Sequence, residues 1–234
     1  MRIYFGLDGK TGFVRLETVL HQYVLDTFWE PIDRKWHTAY KGIFLDSGAY
    51  SAWQKGESID REAYADYALS GDFDVIAGDL KIENASPDQT LPDTEYLKGL
   101  GLPAIPAYHQ GEPWDYLDHL VKTYDYFGLG CTSEVSTGST TTDWLYKCFW
   151  RICDEEGRPK AKVHGFRFTS RIQDFPFWSV DSTSWVQSNG VSMISLGREL
   201  PWLRPLEIGE LVMKYYARLP RCTRLTEPKQ TELF

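Results

Sequence analysis

The stretch that decides the fold runs from Tyr126 to Phe168, YFGLGCTSEVSTGSTTTDWLYKCFWRICDEEGRPKAKVHGFRF. It opens on a short β-rich run, Tyr126 to Leu129, and passes through Ser133 to Thr142, a loop of Ser, Thr and Gly that reads equally as a cover over a site and as an ordinary flexible connection. A helix follows over Thr142 to Glu155, with Leu145, Phe149, Ile152 and Cys153 sharing one face. Lys162 to Phe168 is then a second strand. A strand, a covering helix and another strand make the repeating unit of a parallel sheet.

Outward from this unit the same rhythm fills the chain. Toward the N-terminus, Arg2 to Leu7 reads as a strand and Arg15 to Phe28 as a helix, because Leu16, Val19, Leu20, Tyr23, Val24 and Phe28 recur at helical spacing. Gly42 to Leu45 is a strand that breaks at Asp46-Ser47-Gly48 and leads to a helix over Asp60 to Leu69. Phe73 to Ala77 is a strand followed by a short helix around Asp93 to Leu100. Pro103 to Ala107 is another, with its helix over Trp114 to Tyr124. Toward the C-terminus come a short helix near Arg171 to Phe175, strands at Trp178 to Val180 and Val191 to Leu196, and an amphipathic helix over Leu206 to Leu219.

Eight strands with intervening helices in 234 residues predict one compact α/β domain, a (β/α)8 TIM barrel over residues 1–220, with a loosely held polar tail over 221–234. An open doubly wound sheet is the competing architecture.

Composition narrows the class of protein. Hydrophobic residues make up 42% of the chain and aromatics 15%, enough for a large core. The formal net charge of −8 repels polyanions, so nucleic-acid binding requires a local basic face. Cys131, Cys148, Cys153 and Cys222 show no CxxC spacing, which argues for a reducing compartment and against a structural metal. No secretory leader and no apolar run of membrane-spanning length is present, so a cytoplasmic protein without membrane contact is expected.

In a parallel barrel the residues just past each strand's C-terminal end face a common mouth. These are Asp8, Asp46, Ser47, Asp79, Tyr108, His109, Gln110, Gly128, Gly130, His164, Gly165 and Asp181. Carboxylates dominate the set. Crowded carboxylates push each other's pKa values apart, so one can act as a general acid while another stays ionised as a nucleophile, the division of labour used in glycosyl transfer. A single strand-end Asp is as often a helix cap.

Phe44-Leu45-Asp46-Ser47-Gly48-Ala49-Tyr50 resembles the DSGGFQ segment of the tRNA-guanine transglycosylase family, and Ser179-Val180-Asp181-Ser182 resembles the segment carrying its nucleophilic aspartate. Between them Asp79 stands where the family has a base-reading aspartate. Tyr108-His109-Gln110-Gly111 is similar to its VQGG strand end, Phe127-Gly128-Leu129-Gly130 to its glycine-rich fifth strand, and Val163-His164-Gly165-Phe166 to the strand before the nucleophile. The likeness spans roughly residues 42 to 185.

The resemblance implies that Asp181 attacks C1′ of a pentose and holds the sugar covalently until an incoming base or water arrives, with Asp46 moving the proton. It implies a substrate-binding set of Ser47, Asp79, His109, Gln110, Gly128, Gly130, His164 and Gly165, in which Asp79 and Gln110 read the base and backbone N–H groups near the two fifth-strand glycines approach it. The family's CxCxxC zinc cluster is missing. The chain therefore looks closer to the reduced, often phage-encoded branch that places 7-deazaguanines in DNA, which would work in the host cytoplasm with DNA ahead of tRNA as substrate, a free modified nucleobase as second partner and no cofactor.

Stacking aromatics for a flipped base are Tyr50, Trp53, Tyr108 and Trp185. Lys162, Arg167, Arg171 and Arg198, with Arg158, Lys160 and Arg204, are the basic residues available for phosphate. An oligomer is compatible with all of this. Two other readings stay open: a DNA glycosylase or nucleoside hydrolase using water as acceptor, and a non-catalytic nucleic-acid-binding barrel.

Overall fold

The computed structural model describes residues 1–6, 22–81, 87–130, 139–168, 173–182, 198–200 and 202–226. The strands are β1 (Arg2–Gly6), β2 (Tyr23–Thr27), β3 (Gly42–Asp46), β4 (Val75–Ala77), β5 (Ala104–Ile105), β6 (Ala107–His109), β7 (Tyr126–Gly130), β8 (Lys162–Phe166) and β9 (Ser179–Ser182). These strands pair in parallel, in the order β5-β4-β3-β2-β1-β9-β8-β7-β6.

The two ends of that order are halves of one strand. Pro106 divides β5 from β6, since it has no N–H to give a ladder. Its carbonyl still accepts from Gly128 N at 2.9 Å while Ile105 O accepts from Gly78 N at 2.8 Å on the other side. The sheet thus bends round on itself as a (β/α)8 barrel with helices α1 (Ala49–Gln54), α2 (Arg61–Leu69), α3 (Pro87–Gly99), α4 (Trp114–Thr123), α5 (Ser139–Ile152) and α6 (Pro205–Arg218).

Alternation along the strands sorts the core into layers. Tyr4, Phe44, Val75, Ala77 and Ile105 fill the barrel interior. Their neighbours in sequence, such as Phe5, Ile43, Leu45 and Ile76 on one side and Phe127, Leu129, Val163 and Val180 on the other, pack outward against the helices. Local signals place the helices: Asp60 caps α2 by accepting from Ala63 N at 2.7 Å, and Pro205 opens α6 while Arg204 N donates to Glu207 at 2.8 Å.

One sequence expectation changes. The helix read over Arg15 to Phe28 ends instead in a strand: Tyr23, Leu25 and Thr27 alternate with the buried Val24 and Asp26. A barrel strand is buried on both faces, so its apolar run fits helical spacing as well as strand spacing. The start of that segment, Asp8, and the strand read at Val191 to Leu196 lie outside the described residues, as do most of the covering loop, Trp185 and Arg171. Of the tail after Leu219, residues 227–234 lie outside the described residues. Leu225 N donates to Gly157 O at 2.8 Å, and its side chain packs on the outer core.

Candidate active site at the barrel mouth

Because the strands are parallel, their C-terminal ends open on one side. β3 ends on Asp46, β6 on His109, and Asp79 stands two residues past β4 on the same inward alternation. Asp181 sits within β9, in register with Tyr4. These four come together at the mouth.

Gly48 shapes the turn below Asp46. It has φ 75°, and a Cβ there would lie 2.4 Å from Trp29 Cβ, so only glycine follows this path without displacing its neighbour. The backbone N–H groups of Ser47 and Gly48 donate to Asp46 and favour its charged form. Burial opposes them, and the charge of Asp181, the second cause, and that of Asp79 oppose them further. The Asp46 carboxyl is pushed up to about 7.

Asp181 is 3% exposed and is held on one oxygen. Oδ1 accepts the backbone N–H of Arg167 at 2.8 Å and lies 3.2 Å from His164 Nε2. His164 is fully buried, and its Nδ1 lies 2.7 Å from Ser179 Oγ, which in turn bonds Tyr126 Oη. With Nε2–H donating to Asp181, Nδ1 is left to accept from the Ser179 hydroxyl. Arg167 has φ 58°, and left-handed backbone costs a side-chain-bearing residue on the order of 1–2 kcal/mol. Its guanidinium lies 4.7 Å over the Tyr50 ring.

Across the mouth Asp79 Oδ2 lies 3.1 Å from His109 Nε2, and His109 Nδ1 lies 3.9 Å from Glu112 Oε2, which accepts His109 N at 2.6 Å. Burial pushes Asp79 up to about 7 with help from the charge of Asp93, against the Lys81 N–H it accepts. Burial also raises Glu112 and lowers His109. Gly130 makes this possible, because a Cβ there would lie 2.6 Å from the His109 ring. The buried Oε1 atoms of Gln110 and Glu112 have no hydrogen-bond partner among the described residues. Glu112 escaped the sequence reading, although its place three residues after a strand-end histidine was the available signal.

Other sequence-selected residues lie elsewhere than expected. Ser47 is buried and its hydroxyl donates to Asp79 O at 2.8 Å while capping α1 at Ala49 N, so it ties two strand ends together. His164 lies one layer below the rim, level with Ser179, and reaches the mouth only through Asp181. Gly165 faces the outer layer, where a Cβ would meet Phe168 and Phe177. Gly128 gives its N–H to Pro106, and its open side is filled by the Phe166 ring, so neither is free for a base. Tyr108 also turns outward, stacked on Trp144, whereas Tyr50 and Trp53 pair at 5.8 Å beside the mouth.

Lys162 and Arg167 do not share one face. Lys162 begins β8 and Arg167 follows its end, about 16 Å apart at strand rise, on opposite ends of the barrel. Arg158 pairs with Asp154 and Glu156, and Arg204 with Glu207. Arg198 is exposed beyond the last described strand.

No protein-family model matches the chain, and no curated protein is detectably similar to it. Among solved structures it resembles a chain of the tryptophan synthase α2β2 complex of the hyperthermophile Pyrococcus furiosus, with a TM-score of 0.51 at 13% identity over 93% of this chain and 96% of that one. That likeness is one of fold, the (β/α)8 barrel. The likeness to the transglycosylase family rests on the quoted motifs alone. No described helix is long and apolar enough to cross a membrane, and no described cluster of His, Cys, Asp or Glu is arranged to hold a metal ion.

Proposed function

We propose that this barrel is a base-exchanging glycosyltransferase that acts on guanine in nucleic acid, DNA ahead of tRNA, and inserts a 7-deazaguanine. One observation carries the reading: two carboxylates at one mouth sit in unlike surroundings, Asp181 fixed by two hydrogen-bond partners and Asp46 pushed up to about 7 by burial and by Asp181 itself. Such a split is what paired acid and nucleophile roles require.

Among the described residues, both of the bonds to Asp181 fall on Oδ1. Oδ2 then attacks C1′, the glycosidic C–N bond breaks, and its electron pair leaves with the base as Asp46 delivers a proton to it. The sugar stays esterified to Asp181 until the incoming base, deprotonated by Asp46, displaces the carboxylate from C1′. Asp79, raised to about 7, exchanges its proton in the neutral range, and its protonated form both donates to and accepts from a heterocycle edge. The unpartnered Gln110 Oε1 offers a second acceptor.

The test is incubation with DNA and with RNA, each supplied with 7-deazaguanine bases, followed by digestion and mass measurement of the nucleosides. Incorporation with release of guanine supports base exchange. Free base with an abasic site and no incorporation makes the protein a glycosylase, and unaltered DNA and RNA overturn the reading.

A further inference from the structure

Arg167 is the one residue other than glycine with positive φ among the described residues. Its amide has a task, the 2.8 Å bond to Asp181. Glycine would present that N–H in the same conformation without the Cβ clash that makes it costly. What glycine cannot supply is the side chain, so the strained backbone is explained by what the guanidinium does.

That guanidinium is exposed at the mouth and lies 4.7 Å over the Tyr50 ring. Held there, it presents the planar N–H fork that matches phosphate oxygens. No carboxylate among the described residues lies within ion-pairing distance of it, whereas Arg61 is engaged by Glu62, Arg151 by Asp118 and Arg204 by Glu207. An arginine on an acidic protein, beside buried carboxylates yet paired with none among the described residues, is poised for an anion brought by the ligand.

We propose that Arg167 holds the phosphate ester of the pentose whose C1′ lies over Asp181, so that one residue grips the substrate with its side chain and aims the carboxylate with its amide. This deepens the reading of Asp181 given above and makes the substrate a nucleotide unit rather than a free nucleoside. From the amide held on Asp181 to the guanidinium is one arginine side chain, comparable to the span from C1′ to the phosphate within a nucleotide.

The experiment is a fluorescence-anisotropy titration of a labelled single-stranded oligodeoxynucleotide with one guanine, competed by deoxyguanosine and by its 5′-monophosphate. It uses the full chain, R167Q and R167G. Wild type should prefer the monophosphate to the nucleoside by about ten-fold, and R167Q should bring that ratio close to one. For the oligonucleotide, R167Q should lower the slope of log affinity against log salt by about 0.7, one phosphate contact on a single strand. R167G should lose the same preference while melting no lower than wild type, since glycine relaxes the backbone.

A preference for phosphate on the mononucleotide with no change in the oligonucleotide slope still supports the site and makes its source a free nucleotide. An undiminished ratio in R167Q, or no phosphate preference in wild type, overturns the proposal. So does a loss confined to R167G. Base exchange is read by product mass and these constants by binding, so each idea fails without taking the other with it.

Discussion

The two ends of this barrel carry charge in opposite ways. At the amino-terminal end of the strands, Arg2 and Lys41 lie over Tyr23, and Arg2 and Lys162 over Trp178, at 4.9 to 5.6 Å, each residue at least partly exposed. At the carboxyl-terminal end Asp46, Asp79 and Asp181 crowd together in buried surroundings that raise two of them to about 7. The first arrangement is electrostatically content and contributes stability. The second is strained by desolvation and like charge, and such conflict persists where chemistry needs it.

Substitutions at the two ends should therefore differ in kind. The largest effect is expected from Asp181→Ala, which should abolish any covalent adduct with nucleic acid and lower turnover by at least about 10³-fold while leaving the circular dichroism spectrum intact. An adduct trapped on that variant would place the nucleophile elsewhere. Next, Asp46→Asn should cost about 10²- to 10³-fold in kcat/KM. As the proton donor to the leaving base, Asp46 should make the wild-type rate fall above pH about 7, and the variant's profile should lose that limb.

Stability should move the other way at the same end. Asp79 in the folded chain takes up its proton at about 7, against about 3.9 unfolded, so the folded state binds more protons between those values and loses stability as pH rises through them. Asp79→Asn removes that loss. Denaturant titration should show a gain on the order of 2 kcal/mol at pH 8 and little at pH 4, and the accepted base should change more than the rate of the chemical step. The smallest effect is expected at the opposite end. Lys162→Ala should cost about 0.5–1 kcal/mol of stability, the value of an exposed cation–π contact, with oligonucleotide affinity unchanged. A drop in affinity there would mean that nucleic acid reaches the far end of the barrel.

Much of the architecture was legible because helix faces and strand ends leave local marks. Leu145, Phe149 and Ile152 are all buried on α5, and Asp46, Asp79, His109 and Asp181 all stand at or near the strand ends where alternation put them. Strand β2 was not legible. A buried acid, Asp26, faces outward on it, where its side chain accepts Ile32 N at 2.8 Å and the Tyr67 hydroxyl at 3.1 Å. Tyr67 lies 41 residues away and Ile32 is reached only through the turn after the strand, so no local pattern announces that a carboxylate belongs in the core.

The glycines at the site teach the same lesson. A GxG at a strand end looks like room for a ligand, yet at Gly128 and Gly130 the room is taken by the rings of Phe166 and His109. Which ring leans into a missing side chain depends on the neighbouring strand, and register is set by pairing across the sheet.

By itself the sequence determined the period of the elements, the barrel they form and the strand-end carboxylates, since these follow from spacing along one chain. Only the tertiary structure decided which groups meet. It set His164 beneath Asp181, His109 between Asp79 and Glu112, and Arg167 apart from Lys162, because pKa values and hydrogen bonds depend on distances in space that the order of residues does not contain.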